Sequence, residues 1–339
     1  MRATLLTAPH EISITEVDFP KVQNPGDAVV TITATCVCGS DLWNYRGIRE
    51  IAQPQLTGHE FCGVVTEVGD EVTTVKVGDF VVSPFNTSCG ECAHCLAGMH
   101  ASCAHKEVFA MGCQTEAVRV PYADGTLVAT PEPPAPELIP SLLACSDVMA
   151  TGWHAAVSAG IREGATVAVV GDGAVGLCGV LAAKQLGAAR IIAMSRHADR
   201  QALARDFGAT DIIEERGAEG AAKVLELTDG VGADAVIEAV GTIDALQQAG
   251  ACARPGATIG YVGVPVGVEL VLDPFFRRNI GLRGGMAPVR AYLPHLMDLV
   301  LAGTINPGKV FDMTLPLDRV AEGYAAMDER RAIKVLLEP

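Results

Sequence analysis

Four cysteines stand close together in the first third of the chain with the spacing Cys-x2-Cys-x2-Cys-x7-Cys: Cys89, Cys92, Cys95 and Cys103. Thiolates at this spacing can surround one ion in a tetrahedral shell while the chain loops over it. Because the protein would fill all four positions, we expect a structural zinc ion rather than a catalytic one. Three histidines in or beside the loop could compete as ligands, and we interpret them as solvated loop residues: His94, His100 and His105.

An iron–sulfur cluster is the alternative for the same four cysteines. Bacterial cluster motifs place the last cysteine sooner and follow it with proline, whereas Ala104 follows here. The spacing therefore favours zinc.

A glycine-rich turn at 171–176, Gly-Asp-Gly-Ala-Val-Gly, is a second candidate site. A buried-strand pattern precedes it, a helical pattern ending at Gly187 follows, and 190–194 predicts another strand. In this order the first glycine allows the tight turn, the second admits a pyrophosphate and the third lets helix and strand pack closely. A turn that binds nothing is the alternative, but the context favours a dinucleotide site. The expected contacts are Gly171, Gly173, Ala174, Val175 and Gly176.

The end of the second predicted strand indicates which dinucleotide binds. NAD sites usually carry a carboxylate there, whereas NADP sites use a basic group against the 2′-phosphate. Here Ser195 and Arg196 stand at the strand end, Arg200 follows, and Asp199 comes too late. We therefore expect NADP to be preferred and NAD to remain possible, although the two arginines could also be ordinary solvated charges.

Further metal-ligand types are scattered: Cys38, His59, Glu60 and Asp147 each lie near a glycine or a turn. The sequence alone does not bring them together, and a lone histidine is more often structural than a ligand.

A family resemblance joins these residues. Over essentially its whole length the chain resembles the medium-chain, zinc-dependent alcohol dehydrogenases. Gly58-His59-Glu60 with Gly63, Gly69 and Val72 has the spacing of that family's zinc signature. The Cys38-Gly39-Ser40-Asp41 segment, the four-cysteine loop and the glycine turn follow in the family's order.

The resemblance implies a catalytic zinc held by Cys38, His59 and Asp147, with Glu60 as a movable fourth ligand. In the family the third ligand stands four residues before a Thr-Gly pair that touches the nicotinamide. Counting back from Thr151 selects Asp147, with Cys145 as the alternative. Such a site would hold an alcohol oxygen while hydride passes to the nicotinamide.

The resemblance also implies roles for single residues. Ser40 would begin the proton relay, although it could simply cap a turn, and Trp43 stands where many relatives place a relay histidine. Val262 and Gly285 would lie near the carboxamide. Lys334 would lie near the pyrophosphate or, alternatively, be an exposed strand residue.

The pocket neighbourhoods implied by the family contain Trp43, Phe85 and Met111, which favour secondary or aryl-substituted substrates over polyols. We therefore expect a zinc-dependent oxidoreductase that transfers hydride between NADP(H) and an alcohol/carbonyl pair. The alternative within this class is an NAD-linked polyol or threonine-type dehydrogenase. A catalytically idle nucleotide-binding protein and a zinc-ribbon nucleic-acid binder are the alternatives from other classes.

Composition narrows the classes of partner. The 339 residues are 49% hydrophobic, an ordinary globular balance. Their formal net charge of −15 argues against nucleic acid or an anionic membrane as a partner. No signal peptide or membrane-spanning run is evident. An odd number of cysteines, 11, with four clustered, suggests metal ligation in the reducing cytoplasm rather than disulfides.

The predicted fold class is α/β with two domains. A GroES-like antiparallel β catalytic domain is expected from residues 1–148 and 287–339, and a Rossmann doubly wound domain from 149–286. The strand–helix alternation of the middle segment supports the parallel sheet. Catalysis is expected at the carboxyl ends of its strands, in the cleft. The resemblance further implies two zinc ions per chain, a small alcohol, aldehyde or ketone as substrate, and a homodimer or homotetramer.

Overall fold

The structure is a computed structural model that describes residues 1–107 and 112–339. Met111, expected in the substrate pocket, lies outside the described residues. The chain divides into two compact units, one formed by Met1–Asp147 with Pro288–Pro339 and the other by Val148–Ala287. Within the described ranges, no helix has the length and apolar character needed to cross a membrane.

The N-terminal part of the first unit is mainly β-structure. Its strands are β1 (Arg2–Ala8), β2 (Glu11–Glu16), β3 (Ala28–Val37), β4 (Gln55–Leu56), β5 (Phe61–Val68), β6 (Phe80–Ser83), β7 (Ala117–Val120) and β8 (Val128–Ala129). Its α-helices are short: α1 (Leu42–Tyr45), α2 (Ala93–Leu96), α3 (Ala123–Thr126) and α4 (Ile139–Cys145). Two 3-10 turns accompany them, His100–Ser102 and Pro136–Leu138.

The second unit alternates strands and helices. Its helices are α5 (Val148–Ser158), α6 (Ala174–Gln185), α7 (Ala198–Phe207), α8 (Gly217–Leu227), α9 (Ile243–Cys252) and α10 (Asp273–Arg277). Its strands are β9 (Thr166–Val170), β10 (Arg190–Met194), β11 (Asp211–Ile213), β12 (Ala233–Glu238), β13 (Ala253–Tyr261) and β14 (Gly281–Gly284).

These six strands form one parallel sheet in the order β11-β10-β9-β12-β13-β14. This is the Rossmann strand order, in which the chain reverses direction between its first and fourth strands. The run Val167–Val170 of β9 is buried, as a central parallel strand covered on both faces requires. The switch point therefore lies beside the glycine turn that follows β9, and the predicted doubly wound fold is confirmed.

The chain then returns to the first unit with α11 (Val289–Leu301), β15 (Met313–Pro316), α12 (Val320–Asp328) and β16 (Val335–Glu338), and with 3-10 turns at Pro307–Val310 and Leu317–Arg319. Strand β16 pairs with β3, which places the C-terminal strand between β15 and the strands of the N-terminal part.

Two sheets build the first unit. One has the order β2-β1-β4, and the other runs β15-β16-β3-β5-β6-β8, with β7 also paired to β3. Pairing is antiparallel throughout except between β15 and β16, which confirms the predicted antiparallel domain. Separate apolar clusters pack around Tyr324 and Val37 and around Phe61 and Val81. These clusters fix the ends of β3 and β5.

Candidate active site and structural metal site

The scattered metal-ligand types meet in the first unit because β3 and β5 are paired. Cys38 directly follows β3, while His59 and Glu60 directly precede β5, and Thr35 of β3 lies opposite Phe61 of β5. Asp147 follows the helix α4, which packs on both β3 and β5. One ligand atom from each of Cys38, His59, Glu60 and Asp147 lies within 4.8 Å of the others, and all four residues are buried.

The spacing of these atoms suits one zinc ion. Asp147 Oδ2 lies 3.6 Å from Cys38 Sγ and 3.3 Å from His59 Nε2, and Glu60 Oε1 lies 3.8 Å from His59 Nε2. Ligand bonds of zinc predict tetrahedral edges of about 3.3–3.8 Å. Glu60 Oε2 is buried without a hydrogen-bond partner among the described residues, as expected of an oxygen that a cation would satisfy. The donor set therefore fits the implied metal.

Asp41 orients the histidine ligand, a role that the sequence did not reveal. His59 Nδ1 lies 3.2 Å from Asp41 Oδ1, which directs Nε2 toward the other ligands. Asp41 Oδ2 accepts from the backbone N–H of Cys38 at 3.0 Å and from Gln114 Nε2 at 3.5 Å. Its place in the Cys38–Asp41 turn was visible in the sequence, but its partner 18 residues later was not.

Lys334 lies in the same buried cluster. Its Nζ donates to Glu60 Oε1 at 2.7 Å and to the carbonyl oxygen of Val37 at 3.3 Å, and the residue is 1% exposed. The alternative that Lys334 is an exposed strand residue was therefore wrong. Val335 pairs with Val37, and this register brings Lys334 beside the end of β3. Its expected contact with the pyrophosphate stays a prediction.

The ionisation of the site reflects its crowded negative charge. Burial is the largest single influence and lowers the pKa of His59, but Asp41, Cys38 and Asp147 together raise it well above its ordinary value. Burial raises the pKa of the Cys38 thiol and of the Glu60 carboxyl, against the attraction of Lys334. Surroundings that favour positive charge on His59 also favour a divalent cation in contact with these groups.

Ser40 lies beside this cluster, with its Oγ 3.4 Å from His59 Nε2. Phe85 also approaches it, with its ring edge-on to that of His59 at 6.4 Å. Cys145, the alternative third ligand, is instead buried with its Sγ donating to the carbonyl oxygen of Ser141 at 3.3 Å. The cluster thus contains Asp147 and not Cys145.

The four cysteines converge on one point. Their Sγ–Sγ distances are 4.0 Å for Cys89–Cys95, 3.6 Å for Cys92–Cys95, 3.9 Å for Cys92–Cys103 and 3.6 Å for Cys89–Cys103. Zn–S bonds predict an edge of about 3.8 Å in a tetrahedron of sulfurs. All eleven cysteines are free thiols, so these distances do not reflect disulfides. The group fits a fully protein-ligated zinc.

Local contacts shift the ionisation of these sulfurs in opposite directions. Backbone N–H donors, first that of Ala104, lower the pKa of Cys92 to about 6, whereas burial raises the pKa of Cys95 to about 12. A bound cation would hold both as thiolates. His94 and His105 are exposed as expected, but His100 is half-buried because its 3-10 turn packs against α11.

In the second unit the glycine turn is shaped for a phosphate. Gly171 has φ +121°, and a Cβ on Gly176 would lie 2.0 Å from the Gly171 carbonyl oxygen. A Cβ on Gly173 would meet no atom within 4 Å, and Gly173 is the N-cap of α6, followed by Ala174 and Val175. Open space above exposed helix N–H groups is what a pyrophosphate requires. The turn therefore fits a dinucleotide.

The remaining predicted cofactor residues of this unit lie on its helix and strand ends. Val262 directly follows β13 and Gly285 directly follows β14, at the carboxyl ends of adjacent parallel strands. Thr151 is buried in α5. Their contacts with the nicotinamide stay predictions.

Ser195 and Arg200 are paired with a residue of the glycine turn. Ser195 Oγ donates to Asp172 Oδ2 at 2.7 Å. Arg200 Nη1 lies 3.5 Å from Asp172 Oδ1 and donates to the Asp172 carbonyl oxygen at 3.2 Å. Arg196 is exposed. A carboxylate therefore does reach the end of β10, although it comes from the turn after β9 and not from the strand itself.

Comparisons with known proteins agree with this architecture. Family models described as "Alcohol dehydrogenase GroES-like domain" and "Zinc-binding dehydrogenase" match residues 24–132 and 174–302. Zinc-type alcohol dehydrogenase B of Aspergillus flavus is 36% identical over 100% of this chain and 81% of its own length. The chain belongs to the medium-chain, zinc-dependent alcohol dehydrogenase family.

Solved structures show the same similarity. Alcohol dehydrogenase TADH from Thermus sp. ATN1 is 32% identical with a TM-score of 0.91, covering 100% of this chain and 99% of that one. A zinc-binding dehydrogenase from Sinorhizobium meliloti, described as bound to NADP, is 28% identical with a TM-score of 0.83, covering 100% and 99%.

Proposed function

We propose that the protein is a zinc-dependent oxidoreductase that transfers hydride between NADP(H) and an alcohol/carbonyl pair. The observation that carries the proposal is the buried donor set Cys38, His59, Glu60 and Asp147, with Glu60 Oε2 lacking a partner among the described residues. A purely structural metal site would not need a further carboxylate oxygen such as Glu60 Oε2 beside its ligands. The four-cysteine group already supplies a closed site of that kind.

Each residue of the site has a distinct task. Cys38, His59 and Asp147 would hold a zinc ion, which supplies Lewis-acid stabilisation of an alcohol or carbonyl oxygen, while the nicotinamide exchanges the hydride. Asp41, which lies 3.2 Å from His59 Nδ1, would keep Nε2 directed at such an ion. Ser40, whose Oγ lies 3.4 Å from His59 Nε2, would accept the alcohol proton. Because Trp43 stands three residues later, the proton would leave by a route other than a histidine at that position.

NADP is the proposed preferred cofactor. Arg196 and Arg200 follow β10 at the position where a dinucleotide fold presents the adenosine ribose. The S. meliloti relative described as bound to NADP supports the same choice. The comparison to make is kcat/KM for NADP against NAD in the purified holoenzyme. A ratio above one supports the proposal, and a ratio below one reverses the preference.

The proposed substrates are secondary or aryl-substituted alcohols and the matching ketones or aldehydes. Phe85 packs on His59, and Trp43 belongs to the helix that follows the Cys38–Asp41 turn. Turnover should be compared for benzyl alcohol, 2-butanol, sorbitol and L-threonine. Faster turnover of sorbitol or L-threonine would instead support the polyol or threonine-type alternative.

We also propose a homodimer or homotetramer in a reducing compartment such as the cytoplasm. Strand β14 is an edge of its sheet, and the neighbouring segment exposes large apolar side chains: Val271, Leu272, Phe276, Leu282 and Met286. Exposed edges and apolar side chains together favour association. Light scattering should give at least twice the chain mass of 35.3 kDa, and Phe276→Asp should lower it.

A further inference from the structure

The glycine turn carries a carboxylate, Asp172, that the phosphate-binding role of the turn does not explain. Its side chain is 15% exposed and that of Arg200 is 12% exposed, so their contact is largely screened from water. Asp172 contacts two of the three residues expected to receive the 2′-phosphate of NADP, Ser195 and Arg200.

The register of the sheet explains this meeting. Val170 of β9 lies opposite Met194 of β10, so the residues just beyond both strands are neighbours. Asp172 stands two residues beyond Val170, and Ser195 stands one residue beyond Met194. In a dinucleotide fold the adenosine ribose lies at this point, where a carboxylate can accept from the 2′-hydroxyl.

Asp172 already engages the Ser195 hydroxyl proton and the Arg200 charge. The Ser195 hydroxyl has one proton, and it points to Asp172, so Ser195 does not donate to a phosphate while this bond persists. The Arg200 charge is offset by the same carboxylate. Arg196 alone is exposed, with no hydrogen bond or ion pair found for it in the described structure. A 2′-phosphate would therefore meet one free cation and one opposing anion.

We propose that Asp172 is a specificity-determining residue that weakens discrimination for the 2′-phosphate and allows NAD to bind. Its carboxylate accepts from the 2′-hydroxyl of NAD, opposes the 2′-phosphate of NADP, and engages the Arg200 and Ser195 groups that would otherwise bind that phosphate. This inference rests on the proposed dinucleotide-dependent function, and it assigns the balance between the two cofactors to one residue.

The test measures binding of 2′,5′-ADP and 5′-AMP by titration calorimetry to the metal-loaded protein. These probes differ only in the 2′-phosphate, and binding is read without turnover. The quantity compared is the ratio of Kd for 5′-AMP to Kd for 2′,5′-ADP. Asp172→Asn keeps the side-chain size but removes the negative charge. We expect it to raise this ratio about tenfold, because the variant neither repels the 2′-phosphate nor holds Arg200 in a charge-assisted contact.

Two further variants locate the effect. Asp199→Asn removes an exposed carboxylate next to Arg200 in sequence, and its ratio should stay within about twofold of the parent, because exposed charges are screened. Asp172→Asn combined with Arg200→Gln should lose most of the gain, because the released guanidinium is then absent. Asp172→Ala provides a second measurement if Asp172→Asn does not fold.

An unchanged or lower ratio in Asp172→Asn would overturn the inference, as would an equal gain in Asp199→Asn. If the two probes bind more weakly by the same factor, the ratio is likewise unchanged, and Asp172 then only shapes the turn. The proposed NADP preference is judged separately, from the ratio of the parent protein. A parent that favours 5′-AMP contradicts that preference, while the change on substitution still tests Asp172.

Discussion

At the scale of single residues, Glu60 and Lys334 form an ion pair that is almost wholly removed from water. Their side chains are 0% and 1% exposed, and Nζ lies 2.7 Å from Oε1. Removal of one partner from such a pair leaves a buried charge without compensation. Loss of either partner should therefore destabilise the folded state as well as alter the site.

Lys334→Met is expected to lower the free energy of unfolding by about 3–5 kcal/mol, the cost typical of leaving a buried charge unpaired. Urea unfolding with metal present measures the change. Lys76→Met is the matched control, because Lys76 pairs with Asp79 at 2.9 Å while its own side chain is 83% exposed. We expect this control to cost less than about 1 kcal/mol. Similar losses in the two variants would contradict the assigned role of Lys334.

The sequence named most residues of the candidate site but not their contacts. Cys38, His59 and Asp147 were joined only through the resemblance, because 109 residues separate the first from the last. Lys334 was assigned either to the pyrophosphate or to the surface, since nothing local showed that β16 pairs with β3. Asp172 was treated only as part of a glycine turn, although its carboxylate reaches Ser195 through the register of the sheet.

At the scale of elements, different glycines of the glycine turn are needed for folding and for cofactor binding. Gly176 packs against the Gly171 carbonyl, whereas Gly173 faces open space. The same substitution at these two positions should therefore have different effects.

Gly176→Ala should destabilise the protein by at least about 1–3 kcal/mol, because its Cβ would overlap backbone. Gly173→Ala should change stability by less than about 1 kcal/mol, since Gly173 has φ −77° and a free Cβ position. It should still weaken NADP binding at least about tenfold by occupying space that the pyrophosphate needs. Thermal unfolding and calorimetric binding distinguish the two. Unaltered NADP affinity in Gly173→Ala would mean that the cofactor does not approach this turn.

His154 in α5 gives the second unit an acid-sensitive element. Burial, reinforced by Arg283, lowers the pKa of His154. At a pH between this lowered pKa and the ordinary one, the unfolded state therefore binds a proton that the folded state lacks. Stability from this group is complete above the ordinary histidine pKa of about 6.5 and is lost as the pH falls through the lowered value.

His154→Gln should reduce the fall in melting temperature between pH 7.5 and pH 5.5 (values chosen to span roughly the ordinary histidine pKa). The slope of unfolding free energy removed is at most about 1.4 kcal/mol per pH unit, that of one proton. Scanning calorimetry of parent and variant measures the difference. Equal falls in both proteins would show that His154 does not couple protonation to folding.

The elements themselves were largely predictable where their pattern was local. The buried run before the glycine turn, the helix ending near Gly187 and the strand at Arg190–Met194 follow from periodicity and stop signals. Short elements without such signals were missed, including α1 and β4, which lie between the Cys38–Asp41 segment and Gly58. These are held by packing on other elements, as the pairing of Leu56 with Leu5 shows.

At the scale of the whole molecule, one chain builds a discontinuous unit around both candidate metal sites. The first unit takes its strands from both ends of the sequence, and β16 pairs with β3 to close its larger sheet. The two metal sites differ in chemistry as their donors predict. Four thiolates would close the shell of one ion, whereas the mixed donors of the other site would leave room for a substrate oxygen.

Zinc content measured together with turnover tests this assignment most directly, in the parent, Asp147→Ala and Cys92→Ser. We predict two zinc ions per parent chain. Asp147→Ala should lose one zinc and at least about 100-fold in turnover, as removal of a metal ligand predicts. Cys92→Ser should lose mainly the other zinc together with stability. An Asp147→Ala protein that keeps both zinc ions and full activity would contradict the assignment and make Cys145 the next candidate ligand.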